Sequence, residues 1–139
     1  MPEQQPRQAA HVPLALPAFG PIEPERVLTQ DDLFAIVRDN YPVAPGHTLI
    51  MPRRLVQRYR QLTTSEKAQL LKLVDWAQHY LEATLSPAPD GFNLGVNDGE
   101  AAGQTVPQFH FHVIPRYTGD VVDPRGGVRW VIPCKARYW

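Results

Sequence analysis

The chain has 139 residues, of which 43% are hydrophobic, and its formal net charge at pH 7 is zero. This length suffices for one domain with a hydrophobic core and is short for two. The neutral balance gives no broad basic field, so we expect neither a nucleic acid nor a membrane partner, whereas a small-molecule nucleotide remains compatible. One cysteine rules out an internal disulfide framework, and we find no long apolar span or leader pattern, which predicts a cytoplasmic protein.

The first half of the chain predicts an arm followed by a meander of strands. Residues 1–24 are rich in Pro, Gln and Ala with little periodicity, so we expect a flexible or surface-draped arm without a functional role. Short strands are predicted over 26–29, 33–38 and 47–51, with Pro45-Gly46 making the turn before the third.

A long helix is predicted from Thr64 to Leu85. Thr63 and Glu66 have the spacing of a capping box at its start, and a Ser-Pro pair follows its end. Its apolar positions are Leu70, Leu71, Leu73, Val74, Ala77, Tyr80 and Leu81. Two further strands over 92–96 and 108–114 complete an α+β domain with an antiparallel sheet of about five strands.

The segment 97–105, Asn-Asp-Gly-Glu-Ala-Ala-Gly-Gln-Thr, is a loop that leads directly into the last strand. Gly99 and Gly103 allow the backbone to approach a ligand closely, and the loop offers neutral donors and backbone amides. It contains no Lys or Arg, so positive charge at a bound phosphate would have to come from histidines. Taken alone, the loop is more typical of an ordinary hairpin connection than of a phosphate site.

The strongest pattern is the run Gln108-Phe109-His110-Phe111-His112, bracketed by Pro107 and Pro115. On a strand, the glutamine and both histidines point to one face and the phenylalanines to the other. Such histidines can act as nucleophile, general base or charge stabiliser in phosphoryl transfer. They can equally bind a metal or serve as hydrogen-bonded structural groups, and these two residues alone leave the three alternatives open.

Taken together, the Gly-Gln-Thr-Val run before the histidines, the alternating histidine strand and the upstream Pro-Gly-His segment resemble the histidine triad (HIT) family of nucleotide hydrolases and transferases. The match spans roughly 32–116. The resemblance implies a HIT-like fold with a five-stranded sheet, usually paired in a homodimer. We therefore expect a catalytic domain over 25–117 and a C-terminal tail over 118–139, packed on the domain or on the dimer partner.

The resemblance also implies residue roles. His110 would attack the α-phosphorus and become transiently nucleotidylated, His112 would contact the phosphate, and His47 would support the tautomer of the nucleophile. The implied nucleotide- and phosphate-binding residues are Asn97, Gly103, Gln104 and Thr105 at the phosphates and leaving group, Asp39 at the ribose, and Val37 and Leu49 at the base.

The chain departs from the family pattern at the first triad position, where Gln108 replaces a histidine. Glutamine can donate and accept hydrogen bonds but does not change charge near neutral pH, so we expect a supporting role. Many relatives hold zinc with an N-terminal Cys-x-x-Cys pair, a later histidine and the first triad histidine. Here the only cysteine is Cys134, Leu55 stands at the later position, and we expect no zinc site.

The resemblance implies a hydrolase or nucleotidyl transferase that cleaves at the α-phosphate through a nucleotidyl-histidine intermediate. Dinucleoside polyphosphates are the first expected substrate class and nucleoside phosphoramidates the second. No tightly bound cofactor is expected, although magnesium could arrive with a polyphosphate. One alternative is a nucleotide-binding regulatory protein with little turnover. Another is a metal-dependent oxygenase or hydrolase with His47, His110 and His112 as ligands.

The C-terminal tail contains Arg125 and Arg129 beside turn glycines and the bulky Trp130. We hypothesise that one of these arginines approaches a polyphosphate and that the tail crosses toward a partner subunit. Alternatively, the aromatic residues simply dock the tail on the domain.

Overall fold

The computed structural model describes residues 14–139 and contains a five-stranded antiparallel sheet covered on one face by one long helix. The sheet strands are β3 (Val27–Gln30), β4 (Phe34–Arg38), β5 (Thr48–Pro52), β6 (Gly91–Gly95) and β7 (Phe111–Arg116). Their order across the sheet is β3-β4-β5-β7-β6. This architecture confirms the predicted α+β class.

Strands β4 and β5 are buried on both faces, which explains their continuous apolar sequences. Phe34, Ile36 and Ile50 point toward the long helix and belong to the main core. The alternate side chains of the same strands, including Val37 and Leu49, form a second cluster on the opposite face. That opposite face carries the candidate site.

Helix α1 (Thr64–Thr84) begins at the predicted capping box. The Glu66 backbone N–H donates to Thr63 Oγ1 at 3.1 Å, and the Thr63 N–H donates to the Glu66 carboxylate at 2.9 Å. Leu70, Ala77 and Leu81 are buried against the sheet, as their spacing predicts. Leu71, by contrast, is 72% exposed and is not a core residue. Within the described range, no helix is long and apolar enough to cross a lipid bilayer.

The expected N-terminal arm differs from what the structure shows. Residues 1–13 of that arm lie outside the described residues. The rest contains a hairpin of β1 (Ala15–Leu16) and β2 (Gly20–Pro21), and Leu14, Leu16 and Ile22 are buried in the second cluster. Apolar side chains within a Pro-rich segment therefore pack residues 14–22 on the site face, so this part is not remote from the site.

The C-terminal tail packs on its own domain through a 3-10 turn over Gly127–Val131, which contacts β6, and the short helix α2 (Pro133–Ala136) packs on that turn. Arg125 pairs with Asp123 at 2.9 Å, and its guanidinium lies over the Trp139 ring. Arg129 donates to the carbonyls of Lys135 and Ala136. Both arginines thus act within the tail, which agrees with docking and not with the proposed polyphosphate contact.

Candidate active site

Strands β5, β7 and β6 place the candidate residues side by side on the face that α1 does not cover. His112 is opposite Leu49 on β5 and opposite Gly95 on β6. Because side chains alternate along a strand, His110 and His112 share this face with Val37 and Leu49. The predicted catalytic histidines therefore come together with His47, which immediately precedes β5.

His47 and His112 form a hydrogen-bonded pair with defined tautomers. The Val43 backbone N–H donates to His47 Nδ1 at 3.2 Å, so the neutral His47 ring carries its proton on Nε2. His47 Nε2 lies 2.9 Å from His112 Nδ1 and donates to it. A neutral His112 consequently carries its own proton on Nε2, the atom available to a phosphate oxygen. The Asp39 carboxylate lies 3.4 Å from His47 Nε2 and adds negative charge beside the pair.

Burial keeps both members of this pair neutral at pH 7. Desolvation lowers the pKa of His112 to about 4, helped by the proximity of His110 and His47 and opposed by Asp39. Desolvation also lowers the pKa of His47, again opposed by Asp39. His112 therefore presents a neutral N–H donor when no anion is bound beside it.

The tautomer of His110 is set by a backbone contact. Its Nδ1 lies 2.8 Å from the Gln108 carbonyl oxygen. A carbonyl can only accept, so Nδ1 carries the proton and the lone pair of the neutral ring is on Nε2. The ring is largely buried, with Phe19 of the hairpin packed edge-on at a centroid distance of 5.4 Å.

Gln108 supports the site differently from the sequence expectation. The predicted strand over 108–114 begins only at Phe111, and the Gln108 side chain is fully buried away from the histidine rings. It donates to the Pro52 carbonyl at 2.8 Å and accepts from the Ala18 N–H at 3.2 Å. Gln108 thus ties the hairpin to β5, and only its backbone carbonyl contacts His110.

The loop over 97–105 is held in shape by its own side chains. The Gln104 amide accepts from the Gly99 N–H at 2.9 Å and donates to the Gln57 carbonyl at 3.0 Å, so both its ends are occupied. Asp98 accepts from the Tyr59 N–H and pairs with Arg58. Gln104 therefore shapes the loop, and a phosphate would meet its neighbours and the backbone.

The other predicted phosphate contacts lie at the mouth of this loop. Gly99 and Gly103 have φ values of +102° and +95°, which glycine adopts without strain. The Asn97 amide nitrogen lies 3.9 Å from the point where a Cβ on Gly103 would stand. Asn97 and Thr105 are exposed, so their side chains are accessible to a ligand.

The predicted base slot is partly covered. Val37 and Leu49 are buried beneath the hairpin, with Phe19 packed against the same cluster. Asp39 stands at the end of β4 with its carboxylate partly accessible. Sequence reasoning missed Phe19 because it lies in the segment read as an arm. The alternation of Leu14, Leu16 and Ile22 with polar or small residues could have indicated a packed segment.

Asp39, His47 and His112 also form the cluster, among the described residues, best suited to a metal ion, with their ligand atoms within 4.8 Å of one another. However, two nitrogens sharing a tetrahedral zinc stand about 3.3 Å apart, given bonds near 2.0 to 2.1 Å. The 2.9 Å separation of His47 Nε2 and His112 Nδ1 instead fits a direct hydrogen bond. His110 is not part of this cluster, although the metal-dependent alternative requires it as a ligand together with His47 and His112.

The family zinc positions do not fit a metal either. Leu55 is an exposed aliphatic residue, and both ends of the Gln108 amide are used by backbone groups. Cys134 lies exposed in the C-terminal tail. These residues supply no set of convergent donors that a zinc ion requires.

This geometry agrees with comparisons with known proteins. A family model described as the HIT domain matches residues 21–119, and the chain belongs to the HIT family. The match begins at Pro21, the last residue of β2.

Relatives and solved structures extend the comparison. The chain is 43% identical over 79 residues to a Schizosaccharomyces pombe protein named bis(5'-nucleosyl)-tetraphosphatase (asymmetrical), covering 57% of this chain and 42% of that relative. It is 37% identical over 105 residues to an Arabidopsis thaliana bifunctional bis(5'-adenosyl)-triphosphatase/adenylylsulfatase, covering 74% of this chain and 57% of the relative. The chain therefore spans about half the length of these relatives.

Among solved structures, the Caenorhabditis elegans NitFhit protein superposes with a TM-score of 0.69 at 32% identity, covering 82% of this chain and 27% of that one. A Plasmodium falciparum diadenosine triphosphate hydrolase, solved with Cyclomarin A, gives a TM-score of 0.67 at 26% identity, covering 76% and 71% of the two chains. Both confirm the HIT fold of the described residues.

Proposed function

We propose that the protein cleaves nucleotide derivatives at the α-phosphate. It either hydrolyses them or transfers their nucleotidyl group to another acceptor. The observation that carries this proposal is the tautomer of His110. Its Nδ1–H is held by the Gln108 carbonyl at 2.8 Å, which leaves the Nε2 lone pair for attack. The neighbouring His112 offers a neutral donor from Nε2, and the loop over 97–105 offers backbone amides.

The proposed reaction has two displacements at phosphorus. In the first, His110 Nε2 forms a bond to the α-phosphorus while the bond from that phosphorus to the bridging oxygen breaks. The electron pair of that bond leaves with the polyphosphate oxygen. In the second, a water oxygen attacks the same phosphorus and the P–N bond breaks. The water proton leaves to solvent, the electron pair returns to His110, and a nucleoside monophosphate is released. Two displacements replace one difficult step by two easier ones.

The nucleoside of the transferred group would be bound near the hairpin. Phe19 lies on the edge of His110, and Val37 and Leu49 form the apolar surface beneath it. The Asp39 carboxylate, at the end of the same strand as Val37, is placed to accept hydrogen bonds from ribose hydroxyls. A base would insert between the hairpin and the sheet, so its binding requires a small displacement of the hairpin.

The names of the relatives support dinucleoside polyphosphates as the first substrate class. The Schizosaccharomyces pombe and Arabidopsis thaliana relatives are named for tetraphosphatase and triphosphatase activities. A Dictyostelium discoideum relative, 37% identical over 101 residues, is named bis(5'-adenosyl)-triphosphatase. Nucleoside phosphoramidates are the second proposed class. No zinc is required for this chemistry, and magnesium would accompany the polyphosphate.

The test is an activity panel with purified protein and a His110→Ala variant. Each protein is incubated with diadenosine triphosphate, diadenosine tetraphosphate, adenosine phosphoramidate and a nucleotide sugar. The products are resolved by chromatography. The proposal is supported if the native protein releases AMP and His110→Ala does not. His79→Ala, which changes an exposed helix residue, is the matched control and should release AMP like the native protein. Equal activity of His110→Ala would contradict it. Tight AMP binding without turnover would favour the nucleotide-binding regulatory protein.

We also propose that the protein acts as a homodimer. Strand β6 ends the sheet order, so one of its edges is unpaired among residues 14–139, and an unpaired edge favours strand addition. Leu94 on this strand is 36% exposed. A Leu94→Lys variant should shift the native dimer toward monomer in light scattering, whereas Leu55→Lys, at an exposed position outside β6, should not. A native monomer at micromolar concentration would contradict the proposal.

A further inference from the structure

A cavity of about 670 Å³ lies between the C-terminal tail and the site face of the sheet. Ile114 and Arg116 of β7 form part of its lining, and Val128 and Trp130 of the tail line it as well. Val43 and the two residues after it, in the segment before His47, also line it. This volume is within the range of about 300 to 1,000 Å³ that small-molecule sites occupy.

The cavity lies next to the histidines of the candidate site, although none of them lines it. Ile114 follows His112 by two residues and points to the same face of β7, about 7 Å further along the strand. Val43 lines the cavity with its side chain while its backbone N–H donates to His47 Nδ1 at 3.2 Å. A ligand that leaves the histidines in the direction of Ile114 therefore enters the cavity directly.

The direction of the proposed displacement points the same way. An in-line reaction places the leaving group on the side of the phosphorus opposite the nucleophile. His110 precedes His112 along β7, and the cavity begins beyond His112, next to Ile114. The polyphosphate that departs from a phosphorus bound between His110 and His112 is thus directed along β7 toward the tail.

The lining suits a neutral aromatic group better than a phosphate chain. The Trp130 indole N–H is fixed by the Arg125 carbonyl at 2.9 Å, and Val43 and Val128 are 71% and 65% exposed. The polar groups are paired with each other: Arg116 donates to the Asp120 carboxylate at 2.7 Å and to Asn93 at 2.6 Å. The cavity therefore offers an indole surface, apolar walls and carboxylate acceptors for hydroxyl or amino groups.

We propose that this cavity binds the second nucleoside of a dinucleoside polyphosphate, on the leaving side of the reaction. This inference rests on the proposed function and deepens it. The base stacks on Trp130, and Asp120 or Asp123 accepts hydrogen bonds from its ribose. The tail then selects substrates that carry a nucleoside at both ends of the phosphate chain.

The experiment compares two substrates that share the adenylyl group and the number of phosphates. Diadenosine tetraphosphate has the second nucleoside and adenosine 5′-tetraphosphate lacks it. The native protein should show the higher kcat/KM with diadenosine tetraphosphate. In Trp130→Ala the ratio of the two kcat/KM values should fall about tenfold or more, because one base–aromatic stack is lost. Trp130→Phe should retain most of the ratio.

A matched control and a second variant secure the interpretation. Val131 is 76% exposed and does not line the cavity, so Val131→Ala should leave the ratio unchanged. Val128→Glu introduces a carboxylate into the cavity at an exposed position that tolerates substitution, and it should lower the ratio even if Trp130→Ala fails to fold. An unchanged ratio in Trp130→Ala or Val128→Glu would overturn the inference. The finding that a second copy of the chain covers the cavity would also overturn it.

A binding measurement tests this inference independently of the proposed function. The affinities of both compounds for the His110→Ala protein are measured by calorimetry, which requires no turnover. Tighter binding of diadenosine tetraphosphate, lost in His110→Ala/Trp130→Ala, would support the subsite even if the native protein hydrolysed neither compound. Equal dissociation constants would overturn the subsite even if His110 were the nucleophile.

Discussion

His47 Nε2 lies 2.9 Å from His112 Nδ1, although 65 positions separate these residues in the chain. The contact arises because β5 and β7 are antiparallel neighbours, with Leu49 opposite His112. It fixes the proton of a neutral His112 on Nε2. His47 is buried and His112 is half-buried, so this pair affects stability as well as chemistry.

The depressed pKa of His112 predicts an acid-sensitive fold. An unfolded histidine titrates near 6.5, whereas folded His112 titrates at about 4. Between these values the unfolded state binds more protons, so the stability from a neutral His112 is present above pH 6.5 and lost as pH falls toward 4. The loss from this group is about 1.4 kcal/mol per pH unit. Urea unfolding from pH 7 to pH 4 measures it.

The comparison variant is His112→Gln, which removes the titrating group. It should flatten the pH dependence of the unfolding free energy over this range. His79→Gln, at an exposed position where the pKa is raised by Asp75, should not flatten it. Identical slopes for the native protein and His112→Gln would show that His112 is not held neutral by folding.

Because the Gln108 amide is buried and hydrogen-bonded at both ends, we expect its replacement by an apolar residue to cost more stability than its replacement by a polar one. Gln108→Leu has a similar volume but leaves the Ala18 N–H and the Pro52 carbonyl without partners. Each such group costs about 1 to 3 kcal/mol, so thermal or urea unfolding should show a loss of a few kcal/mol. Gln108→His supplies one donor and one acceptor and should lose less stability. If the two variants proved equally stable, the proposed link between hairpin and sheet would be wrong.

The proposed phosphate-binding role of the loop over 97–105 can be tested with two matched glycines. Gly103 and Gly119 have φ values of +95° and +85°, and a Cβ on either would meet no atom closer than 3.9 Å. Replacing either by alanine should therefore cost about 1 kcal/mol of stability through backbone strain alone. Only Gly103→Ala should also reduce kcat/KM, by tenfold or more, because it lies in the loop. A comparable loss of turnover in Gly119→Ala would argue against a specific role for Gly103.

Metal independence is the fourth prediction. Leu55, Gln108 and Cys134 do not provide a zinc site, and a carbonyl, not a metal, orients His110, the proposed nucleophile. Purified protein should contain substoichiometric zinc by elemental analysis. EDTA should not inactivate it toward adenosine phosphoramidate, which carries no polyphosphate for magnesium. Stoichiometric tightly bound zinc, or activity restored only by zinc after chelation, would contradict this prediction.

Much of the fold could be predicted from local sequence. The capping box at Thr63 and Glu66 marks the start of α1 directly, and its apolar spacing identifies the buried face. The alternation around His110 and His112 correctly placed both on one face. Patterns of this kind depend on residues close in sequence, which is why they can be read without the structure.

The contacts that depend on distant residues could not be predicted. Gln108 joins Ala18, 90 positions away, and Phe19 packs on His110, so the hairpin contributes to the site although its composition resembles an arm. The amide of Gln104 is consumed by Gly99 and Gln57 within the loop. Similarly, the contact of the Arg125 guanidinium with the Trp139 ring depends on how the tail folds back.

The central claim is that His110 Nε2 forms a covalent bond to the α-phosphorus of a nucleotide. The most direct measurement is mass spectrometry of protein mixed briefly with diadenosine tetraphosphate and quenched under alkaline conditions, which preserve a P–N bond. The account predicts an adenylyl adduct that maps to His110, turns over with the reaction rate and is missing in His110→Ala. Turnover without any adduct, or an adduct that persists in His110→Ala, would contradict it.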